Sequence, residues 1–225
     1  MSAWSGKFVI GLTGNIATGK SLVRQMLETL GAFGIDADAL AHKALLPEST
    51  GYDLVINAFG KNVLKSDGHI NRKSLATIVF SDPDALVDLE TIIHPLVDSE
   101  INQMILSSEK DVFVIEAIKL IESGLYNKCD TLWVTSSSLG NQVKRLMRTR
   151  NFSKEEAIFR INAQPAQEEK LLLANIVIQN DGSLEDTWNQ VHAAWEKTLP
   201  NTAALVNIQE MPADFDLDVI EIKKE

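Results

Sequence analysis

Residues Gly14–Ser21 read G-N-I-A-T-G-K-S, a complete G-x-x-x-x-G-K-[ST] phosphate-binding loop. Its surroundings constrain the fold further. Phe8 to Leu12 is a short apolar run of strand type, and Leu22 to Leu30 carries apolar residues at helical spacing. A strand, a glycine-containing turn and a helix in that order are what the loop's chemistry requires. Successive backbone N–H groups and the positive end of the helix then face a phosphate chain. Lys20 reaches the β- and γ-phosphates and the Ser21 hydroxyl ligates magnesium. The candidate nucleotide contacts are Gly14, Asn15, Ala17, Thr18, Gly19, Lys20, Ser21 and Leu22, with ATP and Mg as the implied ligands.

The rest of the chain fits an α/β architecture. Segments 32–36, 111–116, 131–135 and 175–179 read as further strands, separated by helical patterns. With the first strand they predict a three-layer fold with a five-stranded parallel sheet flanked by helices. Helical pattern runs from Ala37 to Leu46 and stops at Pro47. Residues 49–110 interrupt the rhythm with a long, mostly helical insertion that carries the turn Ser66-Asp67-Gly68. One kinase-type domain is expected over residues 1–200. Residues 201–225 are acid-rich, with a strand-like alternation from Leu217 to Ile222: an edge strand, a solvated tail or the opening of a further domain.

With 225 residues, 45% of them hydrophobic, the chain can bury one α/β core. A net charge of −10 argues against a general nucleic-acid partner. A single cysteine, Cys129, excludes an intrachain disulfide and is simplest in a reducing compartment. No apolar run approaches the length of a membrane span, and a cytoplasmic location is expected. The sequence sets no oligomeric state.

Two charge patterns stand out. Asp36-Ala37-Asp38 follows the second strand at the carboxyl end of the sheet, where open α/β folds bind ligands. Alternation puts both carboxylates on one side if the extended conformation persists through Asp38. Such a carboxylate accepts a proton from an attacking hydroxyl; the other reading is a cap for the following helix. In the second pattern, Thr131 to Lys154 contains no acid, while Lys144, Arg145, Arg148, Arg150 and Lys154 fall within eleven positions. Arg145 and Arg148 share a helix face, and Ser153 with Glu156 forms a capping box for a new helix. A lid over polyphosphate, spanning about residues 138–165, and a solvated basic face both fit this run. As a lid, both arginines are expected to be exposed and to matter little to folding. Glu116 ends the third strand, either as an acid holding magnesium through water or as a solvated strand end.

The loop, together with Leu30-Gly31-Ala32, Ile35-Asp36-Ala37-Asp38, Phe59-Gly60, Asp67-Gly68, Arg72, His94-Pro95, Glu122-Ser123-Gly124-Leu125, Arg145, Arg148 and Gln164, resembles dephospho-CoA kinase from Phe8 to about Lys197. The resemblance implies a nucleotide-kinase-like core with a helical coenzyme-binding insertion and a lid. It implies transfer of the ATP γ-phosphate to the ribose 3′-hydroxyl of dephospho-coenzyme A, the small-molecule partner. By the same resemblance Asp38 is catalytic alongside Lys20, Arg145 and Arg148 close as lid arginines, and Asp36, Arg72 and His94 lie on the coenzyme side. A histidine before a proline at a helix end would otherwise be structural.

This chain departs from the family at Asn15 and Ala17, where glycines are usual, and at Leu22, where threonine is usual. Asparagine tolerates positive φ, whereas Ala17 is strained if its position requires it. Ile118-Lys119-Leu120 replaces the family's Pro-Leu-Leu, and Ala174-Asn175 replaces its Ala-Asp. Three rivals share some of these features. Asn127 to Asp130 spells N-K-x-D, the guanine-recognition pattern of GTP switches, but it precedes a strand and has no D-x-x-G companion. Another small-molecule kinase shares the loop without the Asp-Ala-Asp context. An idle nucleotide-binding protein shares the loop without the chemistry.

Overall fold

The computed structural model describes residues 3–199 and Met211. Five strands form one sheet: β1 (Phe8–Thr13), β2 (Phe33–Asp36), β3 (Val112–Glu116), β4 (Thr131–Ser136) and β5 (Ile176–Gln179), in the order β2-β3-β1-β4-β5. The pairs β1–β3, β1–β4 and β4–β5 are parallel, with Phe8 opposite Val112, Ile10 opposite Thr131 and Trp133 opposite Ile176. The central strands read as unbroken apolar runs because both of their faces are covered. Val9, Ile10, Leu12, Phe113, Val114, Trp133 and Val134 are all fully buried.

Around this sheet lie α1 (Lys20–Thr29), α6 (Leu139–Arg150), α7 (Lys154–Asn162), α8 (Gln167–Leu173) and α9 (Leu184–Thr198). The main core joins α1 residues Val23, Met26 and Leu27 to Trp188, Val191 and Trp195 of α9 across β1 and β4. Burying one tryptophan contributes on the order of 5 kcal/mol at about 25 cal/mol per Å2. Met211 packs against this core, and the other residues of the acidic C-terminal segment lie outside the described residues.

Asp36–Ser108 forms a separate compact unit of α2 (Ala37–Lys43), α3 (Thr50–Phe59), α4 (Arg72–Ser81) and α5 (Pro83–Ser107). The helical pattern expected to reach Leu46 ends as regular helix at Lys43 and continues in turns. The Ser66-Asp67-Gly68 turn returns the chain at a small antiparallel bridge between Leu64 and Ile70, with Gly68 at φ 84°. His94-Pro95 corrects an expectation, for it does not end a helix. Pro95 sits inside the 25-residue α5, where it removes one intrahelical bond. The helix continues because Ile93, Val97, Ile101 and Ile105 bury one stripe of it, and α2, α3 and α4 pack against it.

Candidate nucleotide and acceptor sites

The phosphate loop leaves β1 at Thr13, whose hydroxyl donates to Ala117 O at 2.8 Å. Gly14 follows at φ 150°, and a Cβ there would collide with Thr135 and with the Thr18 hydroxyl. Thr18 Oγ1 lies 2.7 Å from Thr135 Oγ1 and donates to Asn15 O at 2.8 Å. Lys20 is buried, its ammonium donating to Gly14 O at 2.9 Å and Asn15 O at 3.3 Å. The charge is thus held inside the turn by backbone carbonyls. Gly19, at φ 101°, is the N-cap of α1; no side chain caps that terminus and no acid lies in the first turn. An uncapped, acid-free helix start beside a buried lysine is a site for an anion.

The altered positions behave differently from one another. Ala17 has φ 60°, so the strain expected of an alanine there is present, of about 1–2 kcal/mol. Asn15 needs no tolerance of positive φ, since its backbone is not in that region. Its Nδ2 instead donates to Pro165 O at 2.9 Å, while the Asn15 and Ile16 amides donate to the Gln167 and Gln164 side chains at 2.9 and 2.7 Å. The loop's entrance is therefore tied to the α7–α8 connection. Leu22 packs against the main core.

Beside the loop, Ser21 Oγ donates to Glu116 Oε1 at 2.9 Å, and Arg24 Nε donates to Glu116 Oε2 at 2.7 Å. Glu116 is only 5% exposed, so the solvated strand end is excluded: Arg24 replaces the water its carboxylate would otherwise need. Arg24 also donates to Glu28 Oε1 at 2.6 Å. A hydroxyl and a carboxylate side by side are hard oxygen donors of the kind magnesium takes near phosphates. These two residues fit that ion.

The basic run divides into two helices, as the capping box predicts. Glu156 N–H donates to Ser153 Oγ and Ser153 N–H to Glu156 Oε2, opening α7, while Asn151 at φ 52° closes α6. Val143, Leu146 and Ala157 form a small core beneath the pair, with Ile16 and Ala17 of the loop packed against it. Arg148 is exposed, but Arg145 is not, correcting the expectation that the two are alike. Arg145 Nη1 donates to Ala17 O at 3.0 Å and Ser137 Oγ at 3.3 Å, and its Nη2 donates to Asn180 O. Burial draws its pKa down and the Asp181 carboxylate opposes that. Asp181 accepts from the Ser138 amide, Ser137 Oγ and Asn141 Nδ2, which lowers its own pKa to about 2. The N-K-x-D string is structural: Asp130 Oδ2 accepts from Val9 N–H at 2.8 Å, stapling β4's approach to β1.

In the helical unit, Asp36 is the N-cap of α2, accepting from Ala39 N–H at 2.8 Å. The extended conformation therefore stops at Asp36, and the expected alternation that aligns Asp36 with Asp38 fails. Capping falls to the first acid, and Asp38 projects from the helix's first turn. One turn on, His42 Nε2 lies 2.6 Å from Arg72 Nη2. A guanidinium only donates, so that nitrogen is the bare, accepting one and His42 is neutral. Burial, then the Arg72 charge, lowers the His42 pKa, with Asp36 opposing. A depression of 350 Å3 is lined by Lys65, Ile70, Asn71, Arg72 and Lys73. The structure joins Arg72 to His42 and not to His94, which is half-buried in the middle of α5.

Sequence reasoning missed Arg24, His42, Gln167, Asn180 and Asp181. For Asn180 and Asp181 a signal existed, because they follow β5 at the carboxyl edge of the sheet.

Residues 8–186 match the dephospho-CoA kinase family. A dephospho-CoA kinase of Carboxydothermus hydrogenoformans is 43% identical over 192 residues, covering 84% of this chain and 93% of the relative. The structure of dephospho-CoA kinase from Campylobacter jejuni is 32% identical with a TM-score of 0.59, covering 86% of this chain and 98% of that one. A crystal structure from Thermus thermophilus superimposes with a TM-score of 0.77 at 30% identity, over 86% of this chain and 98% of that one.

Proposed function

The chain belongs to the dephospho-CoA kinase family, and from that membership we infer that it transfers the γ-phosphoryl group of ATP to the ribose 3′-hydroxyl of dephospho-coenzyme A, releasing ADP and coenzyme A. The observation that carries the donor half is the uncapped N-terminus of α1 with Lys20 already seated on Gly14 and Asn15 carbonyls. Phosphoryl transfer through a loose transition state asks the protein mainly for positioning and charge stabilisation. Lys20 supplies charge at the β/γ-phosphates, the loop amides supply dipoles, and the exposed Arg148 meets phosphate oxygens as α6 and α7 close. Arg145 acts at the loop's rear, through the Ala17 carbonyl. Ser21 would hold magnesium directly and Glu116 through water; the ion, when bound, neutralises charge on the β- and γ-oxygens.

On the acceptor side, Asp38 orients the ribose 3′-hydroxyl toward the γ-phosphorus and takes its proton late in the transfer. Asp36, whose Oδ1 caps α2, supports the turn that carries Asp38 and lies with it on the coenzyme side. Arg72, with Lys65 and Lys73 around the same depression, holds phosphates of dephospho-coenzyme A, and His94 lies on that coenzyme-binding unit. The helical unit Asp36–Ser108 is thus the acceptor-binding insertion and α6–α7 the lid, in a cytoplasmic enzyme. Among the described residues no helix is long and apolar enough to cross a membrane.

A coupled ADP-release assay over dephospho-coenzyme A, adenosine, pantothenate and common nucleoside monophosphates tests this. Turnover with dephospho-coenzyme A alone is expected. Turnover with a nucleoside monophosphate instead, or with none of them, overturns the assignment.

A further inference from the structure

Asn180 follows β5 and is 3% exposed, yet no part of the chemistry above uses it. Its carboxamide is engaged at both ends, which sets its orientation. Nδ2 donates to Thr18 O at 3.0 Å, and Oδ1 accepts from the hydroxyl of fully buried Thr187 at 3.0 Å. Its backbone is held too: the amide donates to Ser136 O at 2.8 Å, and the carbonyl accepts from Arg145 Nη2. Asn180 also presses on the next loop residue, for a Cβ on Gly19 would collide with its carboxamide. Gly19 is therefore required twice, by φ 101° and by this close approach.

The consequence for the loop follows from peptide geometry. In a trans peptide the C=O and the following N–H point in opposite directions. Anchoring the Thr18 carbonyl on Asn180 aims the Gly19 N–H the other way, and the Arg145 bond to Ala17 O does the same for the preceding peptide. Gly19 is the N-cap of α1, so its amide belongs to the set that faces a phosphate. A backbone amide can serve as a dipole toward phosphate only if its peptide plane is fixed beforehand; otherwise the ligand must bear the cost of orienting it. We propose that Asn180 is a positioning residue of the phosphate loop: clamped by Thr187, it holds the Thr18 carbonyl rearward so that the Gly19 amide is set to receive the nucleotide's phosphates. This rests on the nucleotide-binding half of the function inferred above. It concerns no contact between Asn180 and the nucleotide.

The test is titration calorimetry of ADP into the full-length protein, alongside KM for dephospho-coenzyme A. Losing one buried, oriented hydrogen bond should weaken ADP binding roughly 10- to 100-fold in Asn180→Ala, with KM for dephospho-coenzyme A within about twofold of the parent. Asn180→Asp separates positioning from simple packing because it is nearly isosteric. When ionised, the introduced carboxyl turns an acceptor toward the Thr18 carbonyl and adds a negative charge behind the phosphates. When protonated, it has an O–H to donate to that carbonyl. Burial raises the pKa of such a group, and the Arg145 guanidinium on the Asn180 carbonyl opposes that rise. The ADP affinity of Asn180→Asp, as a ratio to the parent at the same pH, should therefore be lowest near pH 8 and recover toward pH 5.5. A pH-independent ratio overturns the proposal, as do unchanged ADP affinity in both variants or equal losses toward ADP and dephospho-coenzyme A. If Asn180→Ala does not fold, the pH series on Asn180→Asp decides alone. A parent protein that binds ADP but does not phosphorylate dephospho-coenzyme A would refute the inferred reaction, and the ADP measurements would still decide the role of Asn180.

Discussion

The two halves of this kinase hold their charges in opposite ways. Around the phosphate loop Lys20, Arg24, Glu116 and Asn180 are all buried, and each is tied to backbone or to another side chain. In the helical unit His42, Lys65, Arg72 and Lys73 are exposed, and the bond between His42 and Arg72 is a surface contact. Groups fixed by burial meet a ligand with little reorganisation, whereas exposed side chains must be ordered by it. The donor half is therefore set before ATP arrives, and the acceptor half is shaped by its substrate. It follows that substitutions in the first should disturb stability and nucleotide affinity together. Those in the second should disturb chemistry or acceptor binding with the fold left intact.

The largest effect is expected at Asp38. An amide still holds the 3′-hydroxyl but cannot take its proton, so Asp38→Asn should lower kcat by roughly 10²–10⁴-fold with ATP affinity almost unchanged. Thermal stability should hold as well, because capping of α2 rests on Asp36. Calorimetry with ADP and a melting curve check both halves of that statement. A melting point that falls along with kcat would break the comparison, making Asp38 part of the scaffold.

Next comes Lys20→Ala, which removes a charge-assisted contact that strengthens as charge develops on the transferring group. Turnover should fall by about 10²–10³-fold, and ADP should bind more weakly. Unchanged single-turnover rates at saturating ATP would dismiss the phosphate-loop assignment.

Arg145 and Arg148 sharpen the contrast within a single helix. Arg148→Gln should lower kcat with stability inside about 0.5 kcal/mol of the parent, as for an exposed side chain. Arg145→Gln orphans the Ala17 and Asn180 carbonyls, costing roughly 1–3 kcal/mol, and lowers ADP affinity as well. Denaturant melts of both proteins measure the difference. Equal stabilities would return Arg145 to the role of a mobile lid group.

Most of the scaffold was legible in the amino-acid order because its signals are local. The loop sits between an apolar run and a helical pattern, and every one of the five strands lies within a residue of its expected segment. What escaped depended on partners far along the chain. Nothing near Asn180 announces that Thr18, 162 positions away, needs its carbonyl held, and nothing near Arg24 points to Glu116. The expected alignment of Asp36 with Asp38 failed for a local reason: a cap acid turns strand into helix at once, so the period of two stops at Asp36, two residues too early. Pro95 misled because tertiary burial of α5 overrode a local breaker.

The smallest expected effect is at Ala17. Its φ of 60° costs an alanine about 1–2 kcal/mol, which a glycine does not incur. Against that, glycine adds roughly 0.5–1 kcal/mol of unfolded-state freedom and gives up a methyl that packs beside Val143 and Leu146. The net gain for Ala17→Gly is then about 0.5 kcal/mol, a rise in Tm of roughly 1–2 °C for a chain of this size. ADP affinity should stay within about twofold, because the Ala17 and Thr18 carbonyls remain pinned by Arg145 and Asn180 whichever residue occupies the position. The strain is then a property of the resting loop that persists in the complex. An affinity gain of tenfold or more would mean the opposite: that the loop changes shape when nucleotide binds, and that the donor half is no more set in advance than the acceptor half.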